Sequence, residues 1–224
     1  MTYLILGLII FLGVHSVRIV ADDWRTRTRA RIGAMPWKGL YSVLSVLGFG
    51  LIVWGFGLAR QQPVQLWSPP TGMRHAASLL TLIAFVLLTA AYIPRNSIKA
   101  RVHHPMVLGV KVWALAHLLA NGNIAHVLLF GSFLVWAVLN FSAARRRDRT
   151  AGTTYPAGTT AATLTTIVVG TVAWLAFAMW LHGLLIGFGL AVAGAVFGVV
   201  VYALSGARPQ TPDLDEFLDG DSPA

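Results

Sequence analysis

The chain has 224 residues, of which 56% are hydrophobic and only 11% are charged. Soluble domains usually carry about 25% charged residues, and the mean hydropathy here is +0.70. The composition therefore excludes an ordinary soluble domain and indicates a protein of the lipid bilayer. Cysteine is absent and no acidic residue lies within the long apolar runs, which excludes thiolate–metal sites and paired-carboxylate catalysis inside the membrane.

The apolar runs predict an all-α, polytopic transmembrane helical bundle of about seven spans, six plus an extra C-terminal one. The first run shows no secretory cleavage site, so it is interpreted as a retained helix. The first five predicted spans are Thr2–Val20, 37–58, 75–93, 106–120 and 124–141.

The remainder of the chain begins with a Thr/Gly-rich linker over 151–162. A continuous apolar stretch of 42 residues then covers 163–204. About 20 residues cross the hydrocarbon core, so this stretch predicts two helices with a turn near His182-Gly183. The bundle is thus expected over 1–204, with a disordered acidic tail over 205–224.

The basic residues predict the orientation. Three loops on one side carry twelve Lys and Arg residues, and the other side carries only Arg60 and Arg74. By the positive-inside rule the N-terminus lies outside and the tail lies in the cytoplasm. The +9 net charge is therefore a topology signal, and nucleic acid is not expected as a partner. The twelve are Arg25, Arg27, Arg29, Arg31, Lys38, Arg95, Lys99, Arg101, Arg145, Arg146, Arg147 and Arg149.

Ionisable residues inside the spans are the candidate functional residues, because burying them in lipid is costly. His15 and Arg18 are three apart and share a face of the first helix. Arg18 and Lys111 also have side chains long enough to reach the lipid phosphates. His182 lies at the predicted last turn, as either a ligand or a polar hairpin residue.

His117 lies on a helical stripe with Met106, Val110 and Trp113. One interpretation is ordinary helix packing, with the imidazole bonded to a backbone carbonyl. The other is a flat hydrophobic cofactor on the stripe, with the imidazole as an iron ligand. Because the chain has no cysteine, any haem here would be held without covalent attachment, as haem b.

Several segments resemble the NnrU family of bacterial membrane proteins. The resemblance covers about residues 1–150 and resumes at 182–187, and the segment beginning at His104 is the most specific. The segments are GVHSVR (13–18), DDWR (22–25), WKGLYS (37–42), HPMVLGVKVWALAHLLANG (104–122) and HGLLIG (182–187).

The resemblance implies a multi-pass protein of the bacterial inner membrane that acts in denitrification and nitric oxide metabolism. The family is related to zeta-carotene cis–trans isomerase, a haem-b membrane enzyme. Two histidines implicated in haem ligation in that isomerase match His15 and His117. A nearby cysteine of the isomerase has no counterpart here, which leaves an isomerase-like activity open.

A haem-b protein is the leading interpretation, and it gives each remaining candidate a role. His117 and His15 would be axial ligands. At 1.5 Å per residue, however, His15 lies about 10 Å and His117 about 20 Å from the inner end of the membrane. His182 is the alternative partner, because its predicted depth is closer to that of His117. Arg18 and Lys111 would neutralise propionates. Trp113 would line the haem plane, and His104 is counted among the cofactor-binding residues. The substrate would be small or lipophilic, and a membrane redox complex would be a partner.

Two other functions stay open. The pattern from His104-Pro105 to Gly109 resembles the HPxYxG segment of membrane methyltransferases that use S-adenosylmethionine, although Val107 replaces the tyrosine. A non-enzymatic accessory protein of a nitric oxide reductase system is the other alternative.

Overall fold

The computed structural model describes residues 1–184, and within them the chain is built from helices. Four long helices and Thr160–Leu184 are long and apolar enough to cross a membrane, and a shorter apolar helix lies among them. This confirms the predicted all-α membrane bundle. The elements are α1 (Thr2–Val20), α2 (Asp22–Ile32), α3 (Ala34–Ala59), α4 (Gly72–Tyr92), α5 (Ser97–Val102), α6 (Pro105–Ala120), α7 (Ile124–Ala151), α8 (Thr160–Ala176) and a π-helical turn, Phe177–Leu181.

Three differences between the structure and the sequence prediction are larger than a few residues at a helix end. A polar helix, α2, follows α1. The sequence did not predict it, because this segment has no apolar periodicity. Helix α7 extends to Ala151 rather than 141, since alanine and arginine are strong helix formers outside the membrane as well as within it. The turn predicted near His182-Gly183 does not lie on those two residues, because the helix continues through both to Leu184. Glycine is tolerated in a helix surrounded by lipid and protein.

Two further predictions concern residues beyond 184. The extra C-terminal span, expected near 190–204, and the acidic tail, expected over 205–224, lie outside the described residues.

The membrane helices pack in a spatial order that differs from their order in the chain. Helix α1 lies between α3 and α7, α6 lies between α7 and α4, and α4 also packs against α8. Glycines allow α1 and α3 to approach closely: a Cβ at Gly7 would lie 2.6 Å from the Ile52 nitrogen, and one at Gly48 would lie 2.8 Å from the Phe11 nitrogen. Small residues at such crossings allow backbones to approach closely in lipid.

One end of the bundle, here named the basic end, contains the end of α1, the start of α6 and the end of α7. Asn96 organises it: this side chain is 1% exposed, donates to the Ala90 carbonyl at 2.9 Å and accepts from the Lys99 amide. The linker before α8 is fixed nearby, because the Thr159 amide donates to the Arg95 carbonyl at 2.8 Å. These bonds hold the start of α8 beside the turn between α4 and α6.

Candidate functional site

His117 lies one turn before the end of α6 and faces the interior of the bundle. Its Nδ1 lies 2.9 Å from the Trp113 carbonyl oxygen. A carbonyl can only accept, so Nδ1 carries the proton and a neutral ring keeps its lone pair on Nε2. The imidazole stacks on Phe130 with ring centroids 4.3 Å apart. This is the arrangement in which a histidine can bind a metal through Nε2, with its orientation fixed by the other nitrogen.

A cavity of about 260 Å³ adjoins His117, between α4, α6 and α8. The ring of His182 also lines it, with its centroid 6.3 Å from that of His117. Trp174 Nε1 donates to Thr81 Oγ1 at 3.0 Å and ties α8 to α4 at the cavity. Further lining residues are Arg74, Phe85, Trp113, Asn121 and Phe177.

The π-helical turn Phe177–Leu181 connects Trp174 to His182. The His182 amide donates to the Phe177 carbonyl, five residues earlier instead of four. Such turns are rare and often occur at functional sites. Here the turn lies between two residues that line the same cavity.

His15 lies elsewhere, among aromatic rings of α1, α3 and α7. Its Nδ1 is bonded to the Phe11 carbonyl at 2.7 Å, which repeats the geometry of His117. Its ring lies 6.2 Å from Trp136, and Trp136 follows Phe130, the stacking partner of His117, by six residues on α7. That spacing corresponds to about 9 Å along the helix.

The structure therefore does not bring His15 and His117 to one point. It does bring His117 and His182 together. Ligation by His15 stays a prediction, and a shared iron would require α1 or α6 to shift along its axis.

The other predicted cofactor residues lie at varied distances from the cavity. Trp113 lines it. Lys111 is half-buried on α6, six residues before His117, which is about 9 Å. The Arg18 side chain is 60% exposed at the basic end, 3.9 Å from Asp22. Arg74, which the sequence interpretation did not select, supplies a cation at the cavity. The sequence feature that could have indicated it is its place on the side of the membrane that carries only two basic residues.

His104 belongs to a separate polar cluster at the basic end. Its Nε2 donates to Asp148 Oδ2 at 2.7 Å, and the Tyr155 hydroxyl donates to the same oxygen at 2.9 Å. His103 stacks on Tyr155 at 4.3 Å, and Arg145 Nη1 donates to its Nδ1 at 2.6 Å. Partial burial and the bond to Asp148 raise the pKa of Tyr155 above its ordinary value.

This cluster was missed because its members are far apart in sequence. The available signal was Asp148, the one acidic residue between positions 24 and 212. His104 lies thirteen residues before His117, about 20 Å along α6, and its imidazole is held by the Asp148 carboxylate. The structure therefore places His104 away from the cavity.

Metal chemistry at these sites is limited by the number of ligands. Among residues 1–184, no three His, Asp or Glu side chains form a group that could hold a metal ion. A haem iron needs fewer protein ligands, because the porphyrin nitrogens occupy its other positions and one or two axial side chains complete the set. The pair of His117 and His182 meets that smaller requirement.

Comparison with known proteins gives one match. The family model described as NnrU protein matches residues 3–190, which covers most of the chain and every element described above. No curated protein and no solved structure matches the chain. The chain therefore belongs to the NnrU family.

Proposed function

We propose that this NnrU-family membrane protein binds haem b in the cavity between α4, α6 and α8, where His117 and His182 would hold the iron. The 6.3 Å between the two imidazole centroids carries the proposal. Rings at that separation are close enough to contact one group in the cavity, and a neutral imidazole is a good ligand for iron.

The lining of the cavity supports the same ligand class. Trp113, Trp174 and Phe85 offer flat apolar surfaces, and Arg74 offers a cation for a carboxylate. The Trp113 carbonyl orients the His117 ring. The volume of about 260 Å³ is below the usual 300–1,000 Å³ for small-molecule sites, so the helices around the cavity would have to move apart to admit haem.

Haem b in this position would supply one-electron or Lewis-acid chemistry. The residues of the chain would orient the group, neutralise a propionate and exclude water through the aromatic walls. The family supports a role in nitrogen-oxide (denitrification) metabolism or in redox or isomerase-type chemistry on a small or lipophilic molecule.

The methyltransferase alternative gains no support from the residues that suggested it. A Cβ at Gly109 would lie 3.1 Å from the Ala84 carbonyl oxygen, so this glycine serves the packing of α6 on α4. His104 is bonded to Asp148. Both residues are thus engaged in contacts within the protein.

The test is haem binding by the full-length protein. The protein is purified in detergent and reconstituted with excess haem, and bound haem is measured by Soret absorbance and by extraction of haem b. We expect His117→Ala to lose most of the haem and His182→Ala to lose haem or change its spin state. His126→Ala is the matched control, because His126 also lies near Phe130 but is bonded to Asn123.

The variants also separate the two ligand pairs. Normal binding by His15→Ala supports His182 as the second ligand. Haem loss in His15→Ala with normal binding in His182→Ala would instead support the His15–His117 pair. A colourless reconstituted wild type, or a normal spectrum in His117→Ala, would refute the haem proposal.

A further inference from the structure

A second open space lies on the other side of α7, between α1 and α7. This groove has a volume of about 480 Å³ and shares no lining residue with the His117 cavity. Leu12 and Ser16 form its α1 wall, and Val135 and Leu139 form much of its α7 wall. Val135 is 60% and Leu139 is 55% exposed. The groove is therefore an apolar recess on the surface that faces lipid.

The α7 wall of the groove continues towards the basic end as one stripe. Its residues recur three or four positions apart, so they share a helix face. The stripe ends at two exposed arginines. It consists of Ser132, Val135, Leu139, Ser142, Arg146 and Arg149.

The two walls are joined beyond the groove. Arg147 Nη1 donates to the Arg18 carbonyl oxygen at 3.3 Å, which links the end of α7 to the end of α1. A molecule in the groove would therefore have its apolar part beside Leu139 and its polar part at the arginines.

The length of the stripe matches one leaflet. From Ser132 to Arg146 is fourteen residues, about 21 Å along the helix. Half of a hydrocarbon core of about 30 Å, with one headgroup layer, gives roughly 20–22 Å. The stripe is thus long enough to extend from near the bilayer centre to the leaflet surface, where arginines can meet phosphate groups.

We propose that the α1–α7 groove binds an acyl chain of one anionic phospholipid, whose phosphate lies at Arg146 and Arg149. Charge complementarity selects the headgroup, and the apolar recess accepts the chain. A second copy of this protein suits the surface poorly, because a parallel two-fold contact would bring the same arginines face to face. The site does not depend on haem binding.

The test compares lipid retention by the full-length, delipidated protein in native mass spectrometry. The probes are phosphatidylglycerol and phosphatidylcholine with identical palmitoyl and oleoyl chains. We expect the wild type to prefer phosphatidylglycerol by about tenfold or more. Arg146→Gln with Arg149→Gln should abolish the preference, whereas Arg27→Gln with Arg29→Gln, an equal charge change on α2, should preserve it.

A second pair of variants tests the groove itself. A Cβ at Gly131 or Gly50 meets no atom within 4 Å, so a side chain can begin at either position without a backbone clash. Gly131→Leu fills the groove and should reduce retention of both lipids several-fold, whereas Gly50→Leu on α3 should have no effect.

Three results would overturn the proposal. The first is equal retention of the two lipids by the wild type. The second is an equal loss in the Arg27/Arg29 control. The third is unchanged retention in Gly131→Leu, which would leave a basic surface without a chain-binding groove.

Discussion

Replacing Gly7 by alanine tests whether direct backbone contact holds α1 against α3. The new Cβ would lie 2.6 Å from the Ile52 nitrogen and 2.9 Å from the Gly48 carbonyl oxygen, where ordinary contacts begin at 3.4 Å. These neighbours are backbone atoms and cannot rotate away. The two helices would therefore have to separate by about 0.8 Å at the crossing.

The cost follows from that separation. A gap of about 0.5–1 Å forfeits a quarter to a half of the attraction in each atomic contact it widens, and overpacking a core typically costs about 1–3 kcal/mol. For a chain of this size, each kcal/mol corresponds to roughly 2–4 °C in Tm. We expect Gly7→Ala to melt about 2–10 °C below the wild type in detergent.

Gly13→Ala on the same helix is the matched control. A Cβ there meets no atom within 4 Å, and alanine exceeds glycine in helix stability by roughly 0.5–1 kcal/mol. Its melting temperature should equal or slightly exceed that of the wild type. If Gly7→Ala melts with the wild type, or if both variants fall equally, the close-packing argument is wrong.

Four further predictions concern the basic end, the cavity and the topology. Asp148→Asn weakens two hydrogen bonds to a charged acceptor, each worth about 1.5–3 kcal/mol before solvent screening, so thermal melting should show lower stability. The raised pKa of Tyr155 means that its contribution is complete below pH 10 and is lost as pH rises through the folded pKa; titrating wild type against Tyr155→Phe between pH 8 and about 12 checks this. Trp174→Phe removes one hydrogen bond at the cavity and should weaken haem binding about fivefold, with haem titration as the measurement. Reporter fusions after Arg60 and after Arg149 should report opposite sides of the membrane, and the same side for both would refute the predicted topology.

The apolar spans were predictable because lipid imposes a strong and local rule. Every backbone group in the bilayer must be bonded within its own helix, so the length and apolarity of each run indicate a helix without knowledge of its neighbours. Helix α1 has its predicted bounds, and α6 begins one residue early, at Pro105. Helix α2 was missed because four arginines and two aspartates give no apolar pattern.

The contents of the sites were less predictable, because they depend on which helices become neighbours. Periodicity placed His117 and Trp113 on one stripe, and both line the cavity. Nothing local pairs His117 with a residue sixty-five positions later, or His104 with Asp148. A preference for a hairpin at a glycine also hid the helical conformation of His182.

The π-helical turn has a consequence for comparing members of the family. In an uninterrupted α-helix, His182 would lie about 80° around the axis from Trp174; one accommodated extra residue reduces that angle to roughly 20°. A relative with the same number of residues but an uninterrupted α-helix would present its counterpart of Leu181 to the cavity instead of its counterpart of His182. Aligning the last helix by helical face, with a one-residue gap inside the turn, is therefore the comparison that pairs equivalent side chains. Deleting a single residue between Phe177 and Leu181 would restore a regular α-helix and leave His182 on the cavity face.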